Sequence, residues 1–447
     1  MSTGEILIGV GLALAAGLVS NRLIRLVKLP NVTGYLIVGI LLGPYLIGLI
    51  NPSLGGVLNR ELVEGLGVLV DLALGFIAFS IGSEFKLSSI KKLGKKVIII
   101  TIFQASMALI FVDVALSVLC VTNGTFNENL PLILTLGAVA TATAPAATLM
   151  VIKQYKAKGP VTDMLLPVVA FDDAVGLILF SISFAIAQVF AKQYAGVPGA
   201  TVNFYNLAVL PILEIVISLG IGGVLGILLT GAMKWFKSRA NRLMCMITIV
   251  ILGVALCDLL GEKAGIEVSS LLTCMMIGAV FCNTRKDAIT ILENVERWTP
   301  ILFMLFFILS GAELNLGLMA NVTVIIICAV YLAARSLGKY LGARWGCSVT
   351  GTGGSVKKFL GLTLLPQAGV AIGMARSSSN VFKSIADTVT GFGNTYLLNL
   401  GTTIIAVVLC ATLVYELFGP VITKVSLTKA GEIKPDKPTP TEKQTNP

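Results

Sequence analysis

Two adjacent carboxylates, Asp172 and Asp173, lie within the apolar stretch LLPVVAFDDAVGLILFSISFAIAQV at residues 165–189. An ionised carboxylate in the interior of a bilayer costs about 3 kcal/mol even on lenient insertion scales. Acidic residues in such positions usually face a water-filled cavity and mark the path of an ion or a proton. The pair therefore predicts an ion or proton site inside the membrane.

The residue types that are missing restrict the chemistry further. The sequence contains no histidine, so a proton taken up near neutral pH has to bind a carboxylate rather than an imidazole. Eight cysteines occur without a CxxC pair, which indicates neither a disulfide framework nor a zinc site. The segment GTGGS at 351–355 lacks the GK[ST] ending of a phosphate-binding loop. We expect a protein that has no cofactor and is not an enzyme.

The elements that position these aspartates are predicted to be membrane helices. Of the 447 residues, 56% are hydrophobic and 13% are charged, and the mean hydropathy of +0.92 is typical of an integral membrane protein. We predict an all-α polytopic membrane protein with about 13 transmembrane helices. These lie near residues 4–26, 33–50, 62–82, 97–121, 129–152, 162–190, 205–234, 243–260, 264–282, 298–316, 320–343, 358–377 and 393–419.

Basic residues indicate the orientation of the chain. Lys and Arg concentrate in alternate loops, and cytoplasmic loops carry the excess of positive charge. We therefore expect the N-terminus outside and the C-terminus in the cytoplasm, in a plasma membrane. The net charge of +10 is explained by these loops, so nucleic-acid binding is not expected. Residues 1–423 form the predicted transmembrane domain, and the Pro- and Lys-rich residues 424–447 a disordered cytoplasmic tail.

Two of the predicted helices are interrupted by proline near their centres. The sequences are ATATAPAAT at 140–148 and LPQAGVAIG at 365–373, and proline removes a backbone donor and disfavours helix just before it. Each interrupted helix is the fourth in a five-helix unit, and an offset of seven spans inverts one unit relative to the other. Inverted repeats with two crossed, broken helices are expected of a secondary transporter.

Several stretches resemble the monovalent cation/proton antiporter family 2, which includes Nha-type and Nap-type sodium/proton antiporters. They are LPNVTGYLIVGILLGP at 29–44, LGFIAFSIGSEFK at 74–86, TATAPA at 141–146 and FDDA at 171–174. The resemblance implies a homodimer and elevator-type alternating access. It also implies a core domain of the helices at about 97–190 and 320–419, and a dimerisation side at about 4–82 and 243–316.

The chemistry of the carboxylates fits this resemblance. Na+ and Li+ are hard cations that prefer oxygen ligands, so we expect a cation and a proton to compete for Asp173, with Asp172 beside it. Thr143 is the expected further oxygen ligand. Many relatives have Asp or Ser at the position of Ala144, which is a departure in this chain.

A basic residue is expected to face the carboxylates. At a rise of 1.5 Å per residue, Asp172 lies ~13 Å and Arg335 ~12 Å from the cytoplasmic ends of their predicted helices, so Arg335 is the expected charge partner. Lys339 lies only ~6 Å deep by the same rise, and we expect it to extend to the interface. Electrogenic relatives have a lysine in this helix near the aspartates. Because arginine does not release its proton, we expect electroneutral exchange, with Lys339 in the lysine role as the competing explanation.

The sequence also suggests two auxiliary residues, and it leaves other transport functions open. Glu313 is expected in an outer cavity or at an interface, and Gln367 is expected to hydrogen-bond across the crossing. A K+/H+ antiporter of the Kef type is the nearest alternative to Na+/H+ exchange. A sodium-coupled organic-acid symporter and a channel remain open. The symporter would need polar groups for its solute near the crossing.

Overall fold

The computed structural model describes residues 3–27, 31–46, 58–84, 87–144, 148, 151–152, 155–198, 205, 209–264, 268–285, 288–314, 317 and 321–433. Within these ranges the regular secondary structure is helical. The helices are α1 (Thr3–Val27), α2 (Asn31–Leu42), α3 (Arg60–Gly65), α4 (Gly67–Glu84), α5 (Leu87–Thr122), α6 (Phe126–Val139), α7 (Pro160–Tyr194), α8 (Leu210–Trp235), α9 (Arg239–Ala264), α10 (Ser270–Thr284), α11 (Ala288–Ala312), α12 (Val322–Val349), α13 (Gly354–Thr363), α14 (Gly369–Ala386) and α15 (Phe392–Lys429).

The length and composition of these helices agree with a polytopic membrane protein. Among the described residues, seven helices contain segments long and apolar enough to cross a membrane. These are Ile6–Ile24, Gly94–Thr122, Phe171–Tyr194, Ile212–Trp235, Arg239–Gly261, Val322–Val349 and Phe392–Lys429. Further apolar helices are shorter. The all-α fold class is confirmed, and the number of thirteen spans stays a prediction.

The helices pack as two groups. In the first, α4 packs on α10 and α11, α2 on α11, and α8 and α9 on α10. In the second, α5 packs on α12, α6 and α7, while α13 and α15 also contact α12. Helix α14 packs mainly on α15. The second group contains the carboxylate pair and both interrupted helices, so it is the part of the fold that builds the site.

Close packing of α5 on α12 depends on three glycines spaced four residues apart, Gly338, Gly342 and Gly346. A Cβ atom at Gly342 would lie 2.6 Å from the carbonyl oxygen of Phe103 and 2.7 Å from the Cα atom of Gln104. Small residues at this spacing allow two membrane helices to approach through their backbones. The approach positions α5 directly beside the part of α12 that carries the buried basic residues.

The two interrupted helices cross where the prolines predicted a break. Helix α6 ends at Val139 and residues 141–144 are not helical, while α13 ends at Thr363 and residues 365–368 separate it from α14. The backbone N–H of Ala144 donates to the carbonyl of Pro366 at 2.8 Å. The predicted pair of crossed, broken helices is therefore confirmed. Pro145 itself lies outside the described residues.

The C-terminal boundary differs from the prediction. Helix α15 continues to Lys429, so residues 424–429, which the prediction assigns to a disordered tail, are helical. Glu432 is 6% exposed, and its carboxylate accepts a hydrogen bond from the backbone N–H of Val161 at the start of α7. The polar composition of this segment does not indicate disorder, because Glu432 accepts hydrogen bonds from the start of α7. The remaining predicted tail, 434–447, lies outside the described residues.

Candidate ion-binding site

The two aspartates lie in the middle of α7 and point into the protein. Asp172 is fully buried and Asp173 is 6% exposed. Helix α7 contains Pro167 one to two turns before them. Proline leaves the carbonyl one turn earlier without its helical donor, so the helix is most easily bent just before the carboxylates.

Lys339 of α12 is the cation in contact with this pair. Its Nζ lies 3.0 Å from Asp172 Oδ2, and both side chains are fully buried. Nζ also lies 2.6 Å from Gln104 Oε1, 2.5 Å from the carbonyl oxygen of Thr141 and 2.9 Å from Thr143 Oγ1. The prediction that Lys339 extends to the interface is wrong. The predicted helix ended near residue 343, whereas α12 continues to Val349, so Lys339 lies about 15 Å from the helix end at 1.5 Å per residue.

Four oxygens of four chemical kinds thus surround one ammonium group. They come from a carboxylate, an amide, a hydroxyl and a backbone carbonyl, all within 3.0 Å. An ammonium has only three protons to donate, so at least one of these oxygens shares a proton or makes a purely electrostatic contact. We call these four oxygens, from Gln104, Thr141, Thr143 and Asp172, the oxygen cage.

Gln104 of α5 was not recognised from the sequence. Its Nε2 donates to Asp172 Oδ1 and, at 3.1 Å, to the carbonyl oxygen of Thr101, while its Oε1 accepts from Lys339. The side chain is fully buried. The sequence signal for this residue is a single amide in the middle of the apolar segment VIIITIFQASMALIF. In the structure the Gln104 amide bonds both the Asp172 carboxylate and the Lys339 ammonium, and so orients the two groups.

Arg335, the expected charge partner, has a different role in the structure. Its guanidinium donates to the carbonyl oxygens of Ala140, Leu365 and Ala142 at 3.0, 2.7 and 2.6 Å. It also lies 4.5 Å from the ring centre of Tyr415. The contact to Asp172 belongs to Lys339, so the assignment of Arg335 as direct partner of the carboxylates is corrected. Arg335 instead binds carbonyls that the two broken helices leave without helical donors.

The other predicted site residues lie at or near the crossing. Thr143 Oγ1 is in the oxygen cage and donates to the carbonyl oxygen of Leu364 at 3.4 Å. Gln367 Nε2 donates across the crossing to the carbonyl of Val139 at 3.1 Å and also bonds the hydroxyl of Tyr331. Thr143 therefore faces the ammonium, whereas Gln367 ties together the backbones of the two interrupted helices.

Glu313 lies away from the oxygen cage, just after α11. Its Oε2 accepts from Arg376 of α14 at 2.5 Å. Nearby, Asn380 of α14 donates to Asp71 Oδ1 of α4 at 3.1 Å. Both contacts join α14 to the first group of helices, and a third contact, from Thr33 Oγ1 of α2 to Glu416 of α15 at 3.3 Å, also joins the groups.

A cavity of about 280 Å³ opens between the two groups beside the C-terminal half of α7. Acidic side chains of α4, α8 and α9 line it, namely Asp71, Glu214 and Asp258. On α7 the cavity reaches Phe180, which is ~10 Å along the helix axis from Asp173 at 1.5 Å per residue. Carboxylates that line a cleft concentrate cations near its walls when they are ionised.

Comparison with protein families decides the relationship of this chain. Residues 10–424 match the family model described as sodium/hydrogen exchanger, transmembrane. The chain belongs to the sodium/hydrogen exchanger family. The resemblance predicted from the sequence is therefore confirmed, and the protein is a cation/proton antiporter by family.

Individual antiporters agree with this membership. The chain is 25% identical over 348 residues to the Na(+)/H(+) antiporter NhaS4 of Synechocystis, covering 76% of this chain and 79% of that one. It is 29% identical over 162 residues to the cation/H(+) antiporter 19 of Arabidopsis thaliana, covering 36% and 20% respectively. The solved structure of the sodium proton antiporter MjNhaP1 from Methanocaldococcus jannaschii matches the fold with a TM-score of 0.67 at 19% identity, covering 95% of this chain and 99% of that one.

Proposed function

We propose that this protein exchanges Na+ or Li+ for H+ across a plasma membrane, using Asp172 and Asp173 as the shared cation and proton site. The observation that carries the proposal is the oxygen cage, in which a buried ammonium is surrounded by oxygens at 2.5–3.0 Å. Such an environment suits a dehydrated hard cation as well as an ammonium. Lys339 is then an internal occupant that an incoming Na+ replaces.

The proposed cation ligands follow from this replacement. Asp172 and Thr143 supply oxygens from within the cage, and Asp173, the next residue of α7, supplies a second carboxylate. Gln104 and the carbonyl of Thr141 become available when the ammonium withdraws. A carboxylate that binds Na+ cannot hold a proton at the same time, and this competition alone couples the two ions.

The charges of the site favour more than one proton per cation. With Na+ bound, two ionised aspartates and a neutral Lys339 sum to −1 including the ion. With Na+ released, an ionised Asp172, a charged Lys339 and a protonated Asp173 sum to zero. One Na+ is then exchanged for two protons, and each cycle moves one net charge. The electroneutral stoichiometry expected from the sequence depended on Arg335 being the adjacent cation, and we replace it with this electrogenic one.

Alternating access of the elevator type is part of the proposal. The second group of helices, which holds the oxygen cage, is the moving core, and the first group is the dimerisation side of a homodimer. The contacts of Glu313 with Arg376 and of Asp71 with Asn380 cross between α14 and the first group. These contacts have to break when the core moves, because hydrogen bonds of 2.5 and 3.1 Å are lost when the two groups of helices shift past each other by a few Å.

Purified protein in liposomes provides the test. We expect Na+ and Li+ to dissipate an imposed pH gradient, K+ to do so weakly, and the activity to generate a membrane potential. Asp173→Asn should abolish exchange because the amide neither binds a proton in this range nor offers a second anionic oxygen. The exposed Glu61→Gln is the matched carboxylate control and should exchange like the wild type.

The alternatives give different results in the same liposomes. Exchange with K+ as efficient as with Na+ would favour a K+/H+ antiporter. Retained exchange in Asp173→Asn would remove this residue from the mechanism. Exchange that generates no potential would refute the two-proton stoichiometry while leaving antiport intact.

A further inference from the structure

The chain just after α15 turns back and binds the first residues of α7. Glu432 Oε1 accepts from the backbone N–H of Val161 at 2.6 Å, and Oε2 accepts from the N–H and the hydroxyl of Thr162 at 2.9 and 2.7 Å. The Glu432 carbonyl accepts from the N–H of Lys158 at 3.2 Å. A segment 270 residues away in sequence therefore supplies the contacts at the start of the carboxylate-bearing helix.

Helix α7 needs this partner because its own sequence provides no cap. The N-cap residue is Gly159, which has no side chain to accept a hydrogen bond, and the next residue is Pro160, which has no N–H. The N–H of Asp163 bonds the carbonyl of Gly159 at 2.9 Å. The two remaining first-turn donors are those that Glu432 accepts, and an anion there is also favoured by the helix dipole.

The backbone around Glu432 is built for this contact. Gly431 adopts a φ of 79°, and the N–H of Glu432 donates to the carbonyl of Leu427 at 2.9 Å, which closes the end of α15. A Cβ atom at Gly159 would lie 2.6 Å from Glu432 Cδ, so the glycine also makes room for the carboxylate. Ile433 packs with Val161 and other apolar residues at the start of α7. The ends of α15 and α7 are thus fastened to each other.

We infer that Glu432 is a positioning residue for the ion site, acting through the N-terminal turns of α7. Asp172 and Asp173 lie on the same helix beyond Pro167, the point at which α7 bends most easily. Fixing the first turn keeps the segment before Pro167 in line with the rest of the helix. This alignment holds the Asp172 carboxylate against Lys339 and Gln104, and a displacement on the order of 1 Å would break both contacts. The inference rests on the proposed Na+/H+ exchange at these aspartates.

The test compares apparent KM for Na+ with kcat in liposomes. Glu432→Ala removes both acceptors and should raise KM about fivefold, the effect expected for loss of a helix cap, while kcat stays within about twofold. Glu432→Gln keeps the shape of the side chain and one acceptor oxygen. Its KM should therefore lie about midway, on a logarithmic scale, between those of the wild type and Glu432→Ala. Thr162→Val removes one bond and should resemble the Gln variant, whereas Thr162→Ser and Glu61→Gln should match the wild type.

The expected order of KM is Glu432→Ala highest, Glu432→Gln and Thr162→Val intermediate, and wild type lowest. A purely structural role would lower the melting temperature or the amount of folded protein without changing KM in this order. If Glu432→Ala does not fold, the Gln and Thr162→Val variants decide the question. Wild-type KM in both, or a fall in kcat with unchanged KM, would overturn the inference even if melting temperatures fell. A wild-type protein without Na+-dependent exchange would instead overturn the proposed function and the inference with it.

Discussion

Arg335 and Lys339 lie one helical turn apart on α12, and both side chains are fully buried, yet the regions they occupy differ. Arg335 lies among backbone carbonyls of the crossing, and its guanidinium donates to three of them. Lys339 lies in the oxygen cage, where one of its partners is the carboxylate of Asp172. Arg335 stabilises the backbone of the broken helices, and Lys339 contacts the side chains that we propose to bind ions.

The chemistry of the two side chains explains this division. A guanidinium is always charged and presents several donors in a rigid plane, which suits several fixed carbonyls at once. An ammonium is compact, rotates freely and can lose its proton when buried. A set of several backbone carbonyls therefore suits arginine, and a region whose charge has to change suits lysine.

Replacing Arg335 should have the largest effect. Arg335→Leu leaves three buried carbonyls without these donors, and an unsatisfied buried group costs about 1–3 kcal/mol. The combined loss approaches the free energy of unfolding of a typical domain, about 5–15 kcal/mol. We expect little folded protein by size-exclusion chromatography in detergent.

Arg335→Lys is the control, because it keeps the charge but can donate to fewer carbonyls in the fixed geometry. It should be folded but clearly less stable than the wild type in a thermal melt. A normal melting temperature for Arg335→Leu would show that the crossing does not depend on this residue.

Replacing Lys339 should affect the ion movement more than the fold. Lys339→Met should remain folded because a proton on Asp172 can neutralise the charge left behind. Exchange, if retained, should no longer generate a membrane potential, because one of the two proton carriers is gone. A voltage-sensitive dye in liposomes containing the variant measures this directly.

Lys339→Arg separates charge from proton release. It keeps a cation beside Asp172 but does not give up a proton at ordinary pH, so exchange should be slow and electroneutral. A Lys339→Arg protein that still generated a wild-type potential would show that the second proton binds elsewhere.

The smallest effect is expected next to Arg335. Tyr415→Leu removes the ring that lies 4.5 Å from the guanidinium and the hydroxyl bond to the carbonyl of Leu332. We expect a loss of about 1–2 kcal/mol in stability, seen as a lower melting temperature, with unchanged exchange per folded protein. Tyr415→Phe, which keeps the ring, should lose less. Altered Na+ affinity in either variant would mean that the packing around the Arg335 guanidinium also determines the geometry of the oxygen cage.

Much of this architecture could be predicted from the sequence, and the reasons are local. Hydropathy predicts the helices, and the prolines of ATATAPAAT and LPQAGVAIG predict the breaks because proline acts on its own backbone. The adjacent aspartates predict the site because their burial has a high energetic cost. Each of these signals is contained in a few neighbouring residues.

The partners of those residues could not be predicted in the same way. Arg335 and Lys339 differ by one turn, and their depths do not reveal which side chain turns toward α7 and which toward the crossing. That direction depends on how α5 and α12 pack, which is a contact between segments more than 200 residues apart. Glu432 was missed for a related reason, since a polar segment after the last apolar helix looks disordered until its partner at the start of α7 is known.

The glycine spacing on α12 has a consequence for ion selectivity. Because Gly338 and Gly342 bring the backbones of α5 and α12 into direct contact, we expect the two helices to move as a pair, with the backbones of Gln104 and Lys339 keeping their relative positions. One wall of the oxygen cage therefore has a fixed position, and only the α7 wall and the crossing can adapt to an ion. A larger ion such as K+ has to be accommodated by those two elements alone, so changes in ionic radius preference should arise from α7 and the crossing rather than from the α5–α12 pair.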